Sequence, residues 1–273
     1  MIDNLIALFS LGFFRNAFIA AFIASITCGI IGTYIVSRRI VFISGGITHA
    51  SFGGIGMGYY FGFDPILGAV AFGILSALGI EFFTKKADLR EDSAIAMLWS
   101  LGMALGVIFI FLTPGYAPNL MSYLFGNILT VSAEDLIYLV VLTVFVVGFF
   151  LTFYRMIIFV SFDEEYALTN NAPVRLFNAL LISLVALTIV LNIRVVGIIL
   201  VMSLLTIPQA IANLFTKKFD IMMIYSIIFG FIGSVTGLAF SYIYDIPSGA
   251  AIIFSLVVIY AMIKSAFLLR SRS

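Results

Sequence analysis

Nine runs of mainly apolar residues, separated by short polar connections, limit what this chain can fold into more than any other feature of it. A hydrocarbon core of about 30 Å takes roughly 20 helical residues to cross, and backbone polar groups inside it must find their partners within the segment. The runs are approximately Ala17–Val36, Ile40–Phe61, Pro65–Phe83, Ser93–Leu112, Leu136–Tyr154, Leu176–Leu191, Val195–Leu214, Ile221–Tyr242 and Ala250–Leu268. They predict an all-α polytopic membrane protein, a helical bundle of eight to nine transmembrane helices, eight if one run is re-entrant. No soluble domain, long linker or low-complexity stretch interrupts them, so residues 1–273 are expected to form a single transmembrane domain.

Composition agrees. Hydrophobic residues make up 63% and charged residues 10% of the chain, against about a quarter charged in soluble domains. Lys and Arg number 14 and Asp and Glu 13, so no basic excess draws nucleic acid, and no nucleic-acid role is expected. Cys28 is the lone cysteine, which excludes an intrachain disulfide or a thiolate metal cluster. The first fifteen residues hold Asp3 and Arg15 without a basic start or a cleavage site of small residues. They read as an interfacial helix, with Leu5, Leu8, Phe9 and Gly12 on one face, and not as a removable signal peptide.

Lysine and arginine collect on the cytoplasmic side of a membrane protein. Here they occupy alternate connections: Arg38-Arg39, Lys85-Lys86 with Arg90, Arg155 with Arg175, Lys217-Lys218, and the tail Lys264, Arg270, Arg272. The other connections, Gly62–Asp64, Thr113–Ser132, Asn192–Arg194 and Tyr244–Gly249, contain only Arg194. These are assigned to the outside, and the C-terminus to the cytoplasm.

Several segments carry more than hydrophobicity. The second run has seven glycines from Gly45 to Gly62 and the only histidine, His49. Small residues let membrane helices approach closely. An ionisable group at membrane depth is costly and marks a functional candidate, and neutral imidazole is the commonest metal ligand. Two readings of His49 stand open, a packing hydrogen bond and a pathway-lining contact. One histidine is too few for a stable cage of about four ligands, so a metal would meet it transiently.

The inner connection 154–175 holds Asp163-Glu164-Glu165 followed by an Asn-Asn-Ala-Pro break. A short helix from Ser161, with acids in its first turn, suits the helix dipole. It serves as a docking surface or as a solvated loop. Asp92 or Ser93 is the expected N-cap of the fourth run. The outer segment Thr113–Ser132 has the composition of a turn-rich lid. Pro208 should kink or break its helix and free backbone carbonyls.

Some activities find no support. No G-x-x-x-x-G-K-[ST] motif occurs, so the chain has no P-loop for ATP and any ATP acts on a partner. Acids lie near the ends of the runs, with Glu81 the nearest to an intramembrane carboxylate, unlike a proton- or sodium-coupled transporter. One histidine excludes bis-histidine haem ligation, and no serine–histidine–acid spacing suggests a hydrolase.

Six short elements in order resemble the permease subunits of bacterial ABC importers for zinc, manganese and iron(II), the ABC-3 family. They are Arg38 to Ala50, Leu89 to Ile95, Tyr123 to Asn127, Ser161 to Ala167, Val195 to Gly197 with Pro208, and Asp245 to Gly249. The resemblance implies the type II, vitamin B12 importer-like, permease architecture in a bacterial cell membrane. It also implies a homodimer or paired permease, two cytoplasmic ABC ATPase subunits and an extracytoplasmic metal-binding protein. Phe162, Asp163, Glu164, Glu165, Tyr166 and Ala167 then form the coupling helix received by the ATPase, and His49 occupies the position of a pathway histidine. The resemblance further implies no enzyme site and no bound cofactor on this chain, with the divalent metal ion as cargo.

One position departs from the family. Many members have an aspartate four residues before this histidine, on the same helical face; here it is Gly45. Carbonyls, Thr48, Ser44 or a second subunit would complete any site. Loss of a carboxylate disfavours hard manganese more than zinc, so zinc is the expected ion, with manganese and iron(II) as alternatives. Other expectations for such a chain are a permease for a chelated metal or corrinoid, and a non-transport membrane scaffold or enzyme subunit.

Overall fold

The computed structural model describes residues 11–86, 89–114, 126, 128–170 and 172–270. Eleven α-helices follow one another among them: α1 (Gly12–Ser37), α2 (Val41–Phe61), α3 (Pro65–Lys86), α4 (Glu91–Leu112), α5 (Ala133–Phe162), α6 (Glu164–Thr169), α7 (Val174–Val196), α8 (Ile198–Leu204), α9 (Ile207–Phe215), α10 (Phe219–Tyr244) and α11 (Ser248–Arg270). No strand occurs among the described residues. Helices occupy all nine apolar runs. Eight spans, with Ile198–Phe215 taken as one, are long and apolar enough to cross a membrane. The remaining one, α2, has 21 residues, but its glycines, hydroxyls and histidine lower its hydropathy. Protein shields it: apart from His49, every residue from Ile43 to Gly56 is buried.

Boundaries moved where side chains kept or broke the backbone pattern. α5 continues past Tyr154 to Phe162 because Ile157 and Val160 are completely buried. It bends at Phe153, the one residue inside it with non-helical dihedrals (φ −107°, ψ 19°). α5 starts from a reciprocal capping box: Ser132 Oγ accepts from Asp135 N at 3.1 Å, and Asp135 Oδ2 accepts from Ser132 N at 3.0 Å. The expected cap of α4 is incorrect. Its N-cap is Arg90 and its helix begins at Glu91, so Asp92 and Ser93 lie within the first turn. Asp92 pairs with the Arg90 guanidinium at 3.1 Å. Asn192–Arg194, expected as a loop, is helical: α7 runs on to Val196 and stops at Gly197, whose φ of 83° and ψ of 163° suit glycine alone. The first ten residues and the body of the outer segment lie outside the described residues.

Packing gathers the chain into two compact units, each discontinuous in sequence: Arg38–Asn119 with Val146–Leu191, and Met1–Ser37 with Leu120–Phe145 and Asn192–Ser273. In the first, α2 is clasped between α3 and α4. A Cβ on Gly53 would stand 2.9 Å from Gly102 O, and one on Gly56 2.6 Å from Gly106 O. These pairs advance together along α2 and α4, so the two helices run in the same direction with backbones touching. Gly54 meets Gly68 and Gly58 meets Pro65 on the opposite face, the reversed order of an antiparallel α2–α3 pair. Small residues here serve close helix approach. In the second unit α10 packs on α1, α9 and α11.

Candidate functional site

His49 is the ninth residue of α2 and Trp99 the ninth of α4, each about 12 Å along its helix at 1.5 Å per residue. Because those helices run side by side in one direction, the two rings meet. They lie parallel, with centroids 4.1 Å apart and an interplanar angle of 5°. Imidazole Nδ1 is buried and accepts or donates no hydrogen bond among the described residues. The half-buried ring is therefore held by an aromatic face and not by a polar partner.

Ser44 and Thr48 do not join it. Ser44 Oγ donates to Val41 O at 2.7 Å, and Thr48 Oγ1 to Ser44 O at 2.6 Å. Both residues are almost fully buried and share a helical face about 100–140° from His49. Gly45 lies one turn before His49 and brings no side chain. Among the described residues, no three of His, Cys, Asp and Glu cluster as a metal cage; this unit presents one imidazole.

Beside the stack, toward the charged ends of α2 and α4, lies a cavity of about 710 Å³ bounded by Arg39, Phe42, Arg90, Glu91, Asp92 and Trp99. Trp99 forms part of its wall and is 37% exposed. Its indole thus borders both the imidazole and this open space.

The acidic segment folds more compactly than expected. Ser161 and Phe162 close α5, and α6 begins at Glu164, not at Ser161, because Asp163 caps it: Asp163 Oδ1 accepts from Tyr166 N at 2.9 Å. Glu164 and Glu165 occupy the first turn, where the helix dipole favours them. Ala167 is buried underneath, while Phe162, Asp163, Glu164, Glu165 and Tyr166 project outward. The result is an exposed acidic and aromatic surface. Arg38 sits behind it: its Nη1 donates to Val160 O at 2.9 Å and Ser161 O at 3.1 Å. A cation on the last carbonyls of α5 is well placed against the dipole. Arg38 lies three residues before α2, so the acidic segment is tied to the start of the His49 helix.

In the other unit the Pro208 expectation holds as a break. Leu205 and Thr206 separate α8 from α9, and Pro208 falls in the first turn of α9. The released Leu204 carbonyl accepts from Gln209 Nε2 at 3.2 Å, and the same amide donates to Cys28 O at 2.8 Å. Gly126, with φ 61°, lies against the backbone of Val196 and Gly197, so two of the sequence elements distant along the chain abut. Arg194 pairs with Asp135, and its guanidinium lies over the Tyr138 ring at 5.5 Å.

Trp99, Arg38 and Gln209 carry this geometry and were absent from the site expected from sequence. Trp99 is the only tryptophan and was the one available signal; helical periodicity does not reveal which neighbouring helix a side chain meets.

Among known proteins, residues 10–267 match the ABC 3 transport family. An uncharacterized membrane protein of Synechocystis sp. is 40% identical, the alignment covering 98% of this chain and 95% of that one. The manganese transport system membrane protein MntC of Halalkalibacterium halodurans is 34% identical over 93% of this chain and 87% of its own. The structure of PsaBC from Streptococcus pneumoniae in complex with Fab resembles this chain with a TM-score of 0.87 at 29% identity, over 96% of this chain and 95% of that one.

Proposed function

This chain belongs to the ABC 3 transport family, and from that premise we propose that it is the membrane-spanning permease subunit of an ATP-driven importer for a divalent transition metal ion. The observation that carries the reading is His49, an imidazole at membrane depth in a helix whose other core residues are buried. The acidic surface of α6 supports it from the inner side.

In this reading two permease chains pair in a bacterial cell membrane with their C-termini in the cytoplasm. An extracytoplasmic protein delivers the ion. ATP binds two partner subunits, and their closure moves the segment Phe162–Ala167. The Asp163-capped helix offers them carboxylates and aromatic rings on an ordered backbone. Arg38 passes that displacement to α2, because it holds the end of α5 while standing at the start of the His49 helix. Contact between imidazole and ion is brief. A single nitrogen ligand binds weakly enough for release, whereas about four ligands make a stable site.

Two observations bear on the ion. Gly45 removes a carboxylate, and imidazole suits zinc better than it suits hard manganese. MntC of Halalkalibacterium halodurans is named for manganese. Zinc is the reading favoured by this chain's own donors, and manganese the one favoured by its relatives. Uptake into liposomes holding the permease and its ATPase, with zinc, manganese and iron(II) in competition, tests both. ATP-dependent uptake of at least one ion is expected. Uptake of none of them, with transport of a metal chelate or corrinoid instead, would overturn the assignment.

A further inference from the structure

A metal-binding histidine ordinarily gives its second ring nitrogen to a carboxylate, carbonyl or water, and that bond sets the ring's orientation. His49 lacks this device. Its Nδ1 is buried with no hydrogen-bond partner among the described residues, and the helix position one turn earlier is Gly45. What meets the ring instead is Trp99, parallel to within 5° at 4.1 Å. We propose that Trp99 is the positioning residue of His49, its indole fixing the plane in which the imidazole meets the ion.

The physical grounds are these. Offset parallel stacking is a preferred aromatic geometry, favourable beyond the apolar area it buries. A flat partner of indole size restrains the tilt of the imidazole without engaging either ring nitrogen. The partner is itself fixed, because α4 touches α2 backbone to backbone at Gly102 and Gly106, immediately beyond Trp99. The indole also borders the cavity at the charged ends of α2 and α4, and an indole face attracts cations.

This inference rests on the reading of His49 as an ion contact, and the experiment separates the two. Trp99 is the only tryptophan, so its fluorescence in the purified full-length chain, reconstituted in vesicles of lipid alone, reports directly on the stack. Zinc or manganese chloride should change that emission, and His49→Ala should abolish the response. In the complete transporter, Trp99→Leu should raise the KM for uptake roughly tenfold, the lower end of what loss of an orienting partner costs, with Vmax little changed. Trp99→Phe, which keeps a ring, should restore most of the affinity. A merely structural role would lower the amount of assembled transporter and leave KM alone. If Trp99→Leu assembles with the unmodified KM, the positioning role is wrong while His49 stands. If His49→Ala transports every ion normally, the His49 reading falls and this one with it. Should the leucine variant not fold, the phenylalanine variant and the fluorescence of the unmodified chain decide, and absence of any metal response overturns the proposal.

Discussion

The rings of His49 of α2 and Trp99 of α4 lie parallel with centroids 4.1 Å apart, at equal depth along two helices that run in the same direction. A histidine so placed has its ring held by an indole and its hydrogen-bonding capacity left over, the arrangement on which the proposed ion contact rests. A packing histidine would be expected to use Nδ1 in a hydrogen bond, since an unpaired buried polar atom is costly. The expected outcome of His49→Ala is uptake reduced by about tenfold or more, with unchanged ATPase co-purification. Normal uptake of zinc, manganese and iron(II) would show His49 to be structural.

The exposed carboxylates of α6 lead to a second expectation. Replacing Glu164 and Glu165 together with lysine reverses the charge of the surface and places cations at a helix N-terminus, where they are disfavoured. Insertion into the membrane should persist, because the affected residues lie outside the spans, but co-purification of the ATPase should be lost. Retention of the ATPase would remove the coupling role from this segment.

Arg38 is expected to matter at a distance from both partners. Arg38→Ala removes a guanidinium from Val160 O and Ser161 O, and bonds to charged groups contribute about 1.5–3 kcal/mol. The purified variant should melt at a lower temperature. In the assembled transporter it should hydrolyse ATP while importing less ion per ATP. Tight coupling in Arg38→Ala would mean that the displacement travels by another route.

Two glycines should respond oppositely. At Gly56 a Cβ would lie 2.6 Å from Gly106 O, backbone that cannot swing aside, so Gly56→Val should cost on the order of 1–3 kcal/mol through overpacking. Around Gly148 in α5 a Cβ meets nothing within 4 Å. Gly148→Ala should leave the melting midpoint unchanged or higher, since alanine favours helix. Equal effects of both changes in a thermal-shift measurement would contradict the described α2–α4 contact.

Much of the architecture was legible in the residue order. Continuous apolar runs have no alternative to the helix in a hydrocarbon solvent, so all nine appeared as helices. The glycines of α2 announced close approach, and Pro208 announced a broken span. Boundaries were less legible because they rest on local competition. Asp163 captured the α6 N-terminus through Tyr166 N, which moved its start from Ser161, and buried Ile157 and Val160 prolonged α5.

By itself, then, the sequence determined the solvent, the class of fold, the lone imidazole and the acidic surface. Each follows from the identity and spacing of residues along one helix. Tertiary structure decided which residues serve them: that Trp99 faces His49, that Arg38 holds the end of α5, that Gln209 Nε2 takes the carbonyl released before Pro208, and that Ser44 and Thr48 turn back on their own helix. The first depends on the register between α2 and α4, which the contacts of Gly53 with Gly102 and Gly56 with Gly106 set; the others depend on which backbone carbonyls the fold brings within reach, and no periodicity within a single helix encodes either.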